Sequence, residues 1–118
     1  MLEGIHHVQL AAPPGCEEEA RRFFGGLFGL DEIEKPAALR RRGGVWFRVG
    51  AQQLHVGIED DHSPARKAHP AFSVARYGEL VGRLRDAGVD VAVDDAIPGS
   101  ERCFVADPWG NRIELVSL

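Results

Sequence analysis

The sequence predicts an α+β fold: two paired βαβββ modules forming a curved mixed sheet around a central cavity, with the helices on the outer face. Three observations lead there. Each half of the chain runs in the same order, an alternating strand, an amphipathic helix and then further strands. Equivalent points recur at nearly constant offset: His7 to His69 is 62 residues, Gly29 to Gly88 is 59, and His55 to Glu114 is 59. One short helix and four strands bury a core poorly alone, whereas two copies packed together can do so. The chain has 118 residues, 44% hydrophobic and 27% charged, one domain's worth of protein.

In order, Ile5, His7, Val8, Leu10 and Ala11 carry the period-2 pattern of a half-buried strand, stopped by Pro13, Pro14 and Gly15. Residues 16–29 read as a helix, because Ala20, Phe23, Phe24 and Leu27 share one face. Glu17, Glu18 and Glu19 suit its first turn, and Glu17–Arg21 and Glu18–Arg22 are i,i+4 pairs. Gly25 and Gly26 weaken it and Gly29 ends it. A short strand follows at 31–35, then Pro36 and the Arg40–Arg42 run on a hairpin loop or edge. Val45–Val49 and Gln53–Glu59 are strands joined by Gly50–Ala51–Gln52.

Polar residues 60–68 (DDHSPARKA) separate module 1, about 1–60, from module 2, about 68–118, with 61–67 as linker. His69–Val74 alternates like the first strand. Residues 76–87 form the second helix, with Tyr77, Leu80, Val81 and Leu84 on one face and Gly88 at its end. Val89–Val93, Arg102–Ala106 and Arg112–Leu118 are strands, the last two joined by Asp107–Pro108–Trp109–Gly110–Asn111, a tight reversal.

Charge and cysteine usage narrow the function classes. Nine acidic and seven basic side chains lie in residues 1–60 and the same numbers in 61–118, so the net −4 is evenly spread and no basic face suggests nucleic acid. No apolar stretch suits a membrane span, and MLEGIHHVQL lacks the basic-then-apolar order of a signal peptide. Cys16 and Cys103 form neither a framework nor a CxxC pair, so a reduced cytoplasmic setting is expected.

The chemistry-bearing residues occupy matched places. His7 and His69 lie on the first strand of each module; His55 and Glu114 lie on the last. Their neighbours, Val8, Leu54, Val56, Ile113 and Leu115, are apolar and point the other way. All four polar groups therefore share the face opposite the helices. Related by a pseudo-two-fold axis, they could converge on one divalent ion, Zn, Ni, Fe, Co or Mn.

The segments IHHVQL, HPAFSV and DPWGNRIEL resemble the strand motifs of the vicinal oxygen chelate superfamily, over nearly the whole chain. That superfamily includes glyoxalase I, methylmalonyl-CoA epimerase, fosfomycin-resistance enzymes, extradiol dioxygenases and metal-free bleomycin-binding proteins. The resemblance implies that His7, His55, His69 and Glu114 are the metal ligands, with Glu114 also catalytic. It implies an enzyme of lyase or isomerase type acting on a small oxygen-bearing substrate. Glyoxalase I and the epimerase usually carry Glu or Gln where His55 stands. Two further readings stay open: a metal-free small-molecule or drug-binding protein, and an Fe(II) extradiol-type dioxygenase using His7, His69 and Glu114 as a two-histidine-one-carboxylate triad. Glu114 could instead simply pair with Arg112 or Arg102.

Arg66 and Lys67, in the linker, are candidates for holding an anionic substrate group. Trp46 and Arg48, on the strand before His55, are candidates for the cavity wall. His6 and His62 read as surface. Open sheet edges favour a two-fold homodimer.

Overall fold

A computed structural model describes all 118 residues. The chain divides into two compact units, Met1–Ser63 and Pro64–Leu118. Each is a four-stranded mixed sheet in βαβββ order, as the internal repeat predicts.

The first unit contains β1 (His7–Ala12), α1 (Glu17–Ala20), β2 (Asp31–Ile33), β3 (Val45–Val49) and β4 (Gln52–Ile58). Its strand order is β1-β4-β3-β2, so the first strand pairs with the last, in parallel. Alternation sends Leu10, Phe47, Leu54 and Val56 to one face, where they are buried with Ala20, Phe23 and Phe24.

The helix expected over 16–29 departs from expectation. Only Glu17–Ala20 is α-helical; Arg21–Leu27 winds as a π-helix, with Phe28 N–H donating to the Phe23 carbonyl at 3.1 Å. The cause lies in the aromatic cluster. On an α-helix, residues 23 and 28 would face roughly 140° apart. The wider π-turn, eased by Gly25 and Gly26, brings Phe28 within 5.0 Å of Phe23 and 5.5 Å of Phe24. The charge pairing changes too: Arg21 meets Glu18 at 2.6 Å and Glu32 at 2.8 Å, not Glu17.

Residues 37–42, expected as loop or hairpin edge, form a 3-10 helix entered by Pro36 and left by Gly43. Gly43 (φ 71°) and Gly44 (φ 87°) then turn the chain back against β4. A Cβ on Gly44 would run into the Val56 carbonyl oxygen, so this approach requires glycine.

The second unit contains β5 (Ala71–Val74), α2 (Tyr77–Asp86), β6 (Ala92–Val93), β7 (Arg102–Ala106) and β8 (Arg112–Ser117), ordered β5-β8-β7-β6. Val81 and Leu84 of α2 are buried with Cys103, Val105, Ile113 and Leu115. The β7–β8 reversal is built on Asp107. Its Oδ1 accepts from the N–H groups of Trp109 (3.0 Å) and Asn111 (2.8 Å), and its Oδ2 from Asn111 Nδ2 (2.7 Å). Asp107 and Asn111 are both buried, and Gly110 supplies the positive φ of 88°. This turn fixes the β7–β8 register, which sets Phe104 opposite Glu114. No helix is long and apolar enough to cross a membrane.

Candidate functional site

In the first unit, β1, β4 and β3 put His7, His55 and Trp46 on the face opposite the buried core. The register pairs Trp46 with His55, and Gln9 with His55 from the other side. The three rings stack. Trp46 and His55 lie 3.8 Å apart at 1°, and His55 and His7 lie 4.1 Å apart at 17°. His55 is thereby 4% exposed, although it sits on the polar face. Burial pushes its imidazole down to about 4, with the nearby His7, His6 and Lys35 charges adding to the effect. At neutral pH the ring is uncharged. Its Nε2 lies 2.8 Å from Gln53 Oε1; a carbonyl oxygen only accepts, so Nε2–H donates and Nδ1 keeps the lone pair. His7 is exposed, its Nδ1 2.9 Å from that of His6.

In the second unit, His69 stands just before β5 and Glu114 lies on β8. Ala71 pairs with Glu114, and the Glu114 N–H donates to the Pro70 carbonyl at 3.0 Å, which draws the two side chains together. His69 Nε2 is 2.9 Å from Glu114 Oε1, while His69 Nδ1–H donates to the Lys67 carbonyl at 2.7 Å. Beside them Arg102 Nε lies 3.7 Å from Glu114 Oε2 and its Nη2 lies 3.3 Å from Asp94 Oδ2. Of the two arginine partners considered for Glu114, it is Arg102 that makes the contact. The edge of His69 meets the Phe104 ring at 5.2 Å, and Arg112 lies over that ring at 4.1 Å.

The His69–Glu114 pair allows a test of fit for a metal. With Nδ1 as donor, Nε2 of neutral His69 has only a lone pair, and so does the facing carboxylate oxygen. Two acceptors at 2.9 Å need a cation between them, either a proton or a metal. Adjacent ligands at ~2.1 Å on an octahedral ion are about 3 Å apart. A metal-binding histidine also usually donates its other N–H to a backbone carbonyl or carboxylate, as His69 does to Lys67. This pair offers two ligand atoms of the kind a divalent ion takes. His55 likewise donates one ring N–H, to Gln53, and keeps Nδ1 as a lone pair, but its ring is stacked between Trp46 and His7 and buried.

The sequence candidates therefore come together as two pairs, His7 with His55 and His69 with Glu114. No group of three or more His, Cys, Asp or Glu side chains gathers so as to hold a metal ion. Trp46 stacks on His55. Arg66 lines a cavity of about 470 Å³ in the second unit with Asp90, Phe104 and Arg112. Lys67 acts through its carbonyl. Arg48 is exposed and sits opposite Gln53. Sequence reasoning missed Phe104, Arg112 and Gln53. The first two were reachable by counting outward from the Asp107–Asn111 turn, which pairs Phe104 with Glu114 and Ala106 with Arg112. His62, expected at the surface, has a side chain only 6% exposed, with Nδ1 3.4 Å from Glu59; nothing in its local pattern marks this burial.

Comparison with known proteins agrees with this architecture. Residues 4–115 match the model of the Glyoxalase/Bleomycin resistance protein/Dioxygenase superfamily. A glyoxalase family protein from Bacillus anthracis is 49% identical with TM-score 0.95, covering 99% of this chain and 96% of that one. A lactoylglutathione lyase from Agrobacterium tumefaciens shares the fold at 21% identity and TM-score 0.74, over 98% and 94% of the two chains. A fosfomycin resistance protein from Listeria monocytogenes does so at 17% identity and TM-score 0.80, over 100% and 95%. A search of curated proteins gives no match. With the family model spanning both units and a relative at 49% identity along nearly the whole chain, the protein belongs to the glyoxalase/bleomycin resistance/dioxygenase superfamily.

Proposed function

We propose that the protein is a metal-dependent, glyoxalase-like enzyme of lyase or isomerase type, acting on a small oxygen-bearing substrate. His7 and His55 from the first unit and His69 and Glu114 from the second are the proposed ligand set. The observation that supports this reading is the His69–Glu114 pair, Nε2 facing Oε1 at 2.9 Å with Nδ1 anchored on the Lys67 carbonyl. A divalent metal at such residues acts as a Lewis acid toward substrate oxygens. The chain's own part is to hold the ligands. Lys67 fixes the His69 tautomer, Arg102 steadies the second Glu114 oxygen, and burial keeps His55 neutral. Trp46, Arg48, Arg66 and Lys67 are the proposed substrate-binding set; Trp46 and Arg66 have the firmer support, since each lines a cavity. The likeness to a lactoylglutathione lyase and a fosfomycin resistance protein is compatible with this class.

A second reading has its own support. With His55 buried in its stack between Trp46 and His7, the ligand set contracts to His7, His69 and Glu114, the donor set of Fe(II) extradiol-type dioxygenases. Oxygen uptake with a catechol panel by iron-loaded protein separates it from the first. Elemental analysis and calorimetric titration with Zn, Ni, Fe(II), Co and Mn test the metal itself. We expect one ion per chain in the native protein, and Glu114→Gln to weaken binding by tenfold or more. A chain that binds none of these ions refutes the enzyme readings and leaves the metal-free binding protein of the bleomycin-resistance type. The working form is proposed to be a cytoplasmic homodimer: two buried free cysteines, Cys16 and Cys103, suit a reducing compartment, and open sheet edges favour pairing of two copies. A scattering mass near 12.9 kDa at micromolar concentration would count against the dimer.

A further inference from the structure

The first unit contains a small cavity of about 160 Å³ beside the ring stack, lined among others by Gln9, Lys35, Leu39, Arg42 and Trp46. It exists because Gly43 and Gly44 fold the 3-10 segment back toward β4, forming a wall that larger residues would prevent. Two cations face it with no acid to neutralise them. Arg21 and Arg40 are each ion-paired, to Glu18 and Glu32 and to Glu34, but Lys35 and Arg42 pair with no carboxylate. Glu17, the acid beside Gly43, accepts from the Gly44 N–H through its Oε2 at 3.0 Å. Lys35 is positioned by donating to the Gly43 carbonyl, which uses one of its three N–H groups and leaves two. At the floor, Gln9 lies over Gly57, where a Cβ would come within 2.7 Å of its Nε2.

We infer that this cavity receives the anionic end of a small ligand, a carboxylate or a phosphate monoester, clasped between Lys35 and Arg42 beside Trp46. The volume limits what enters. At about 160 Å³ it lies below the ~300–1,000 Å³ of pockets that enclose whole drug-sized ligands, so it takes an end group and leaves the remainder toward the open face that carries His55 and His7. Arg42 suits a two-oxygen anion through its fork of N–H donors, and Lys35 adds a point charge. The inference goes beyond the metal reading and does not depend on it.

The test uses the full chain stripped of metal by chelator, at fixed ionic strength. Inorganic phosphate and acetate are titrated separately while backbone amides are followed by NMR. Saturable shifts are expected at Gln9, at residues 42–44 and at the Trp46 indole N–H. Arg42→Gln, at an exposed position, and Lys35→Ala should each weaken binding by about tenfold or more, with the amide spectrum reporting the fold. Arg22→Ala, which removes an exposed arginine outside the cavity lining, should bind as the native chain does. Saturation by phosphate alone assigns a phosphate monoester, and saturation by acetate alone a carboxylate. The inference is overturned if neither anion gives a saturable shift at these residues, or if Arg42→Gln and Lys35→Ala bind like the native chain. Because no metal is present, neither result bears on the His69–Glu114 proposal.

Discussion

Acidification should destabilise the metal-free protein through His55, by an amount that can be worked from its surroundings. The ring lies between Trp46 at 3.8 Å and His7 at 4.1 Å and is 4% exposed, and burial holds its imidazole at about 4. In the unfolded chain a histidine titrates near 6.5. Below that pH the unfolded state takes up a proton that the folded state refuses until about pH 4. The contribution is therefore fully present above pH 6.5 and is lost as pH falls toward 4. One proton at 1.36 kcal/mol per pH step over that interval amounts to about 3 kcal/mol, a large share of a typical 5–15 kcal/mol stability. Urea unfolding at several pH values between 7.5 and 4 measures it. His55→Phe keeps a flat ring in the stack and removes the titration, so its stability should fall less steeply across the window. Proton NMR reads the group directly. A His55 pKa above 6, or equal pH slopes for the native chain and His55→Phe, would refute the argument.

Three further outcomes follow from packing. Phe24 is fully buried at the centre of the Phe23–Phe28–Phe47 cluster, so Phe24→Ala should cost about 3–5 kcal/mol in chemical denaturation. Gly44→Ala puts a Cβ into the Val56 carbonyl at a φ of 87°, and should lower the melting temperature by ten degrees or more, roughly what ~3 kcal/mol does in a chain this size. Asp107→Ala leaves two backbone N–H groups and the Asn111 amide without their acceptor, two of these three at buried Asn111, and should cost about 2–4 kcal/mol by thermal melting.

The legible parts were those governed by local periodicity. The alternation of β1, β4 and β8 assigned faces correctly, and the DPWGN turn set its own register. The pairings His7 with His55 and His69 with Glu114 follow from those faces and from first-to-last strand pairing. What escaped was set by contacts distant in sequence. The π-turn depends on where Phe28 can reach, and helical spacing alone reads the segment as α. The Gly43–Gly44 fold-back depends on Val56 and Ile58 of β4, twelve or more residues away, and the burial of His55 depends on Trp46 from a neighbouring strand. Polar residues on a polar face look exposed in a sequence, and a stacked ring on either side reverses that.

In both units the chain closes by laying its first strand against its last. His7 lies opposite Gln53 and Ala71 opposite Glu114, separations of 46 and 43 residues. Loop-closure entropy for such lengths is roughly 3–4 kcal/mol before any constant term, and nearly equal for the two units. The neighbouring hairpins, with Val49 opposite Gln52 and Ala106 opposite Arg112, close over much shorter loops. The first-to-last seam is thus the costliest pairing to form and the least costly to lose in entropy. Both residue pairs straddle it: His7 stacks on His55 across β1 and β4, and His69 reaches Glu114 across β5 and β8. An ion held by one residue on each side of a seam, as proposed for His69 and Glu114, would act as a cross-link on the longest loop of its unit, so its binding would tighten closure of that sheet and be weakened when the seam opens.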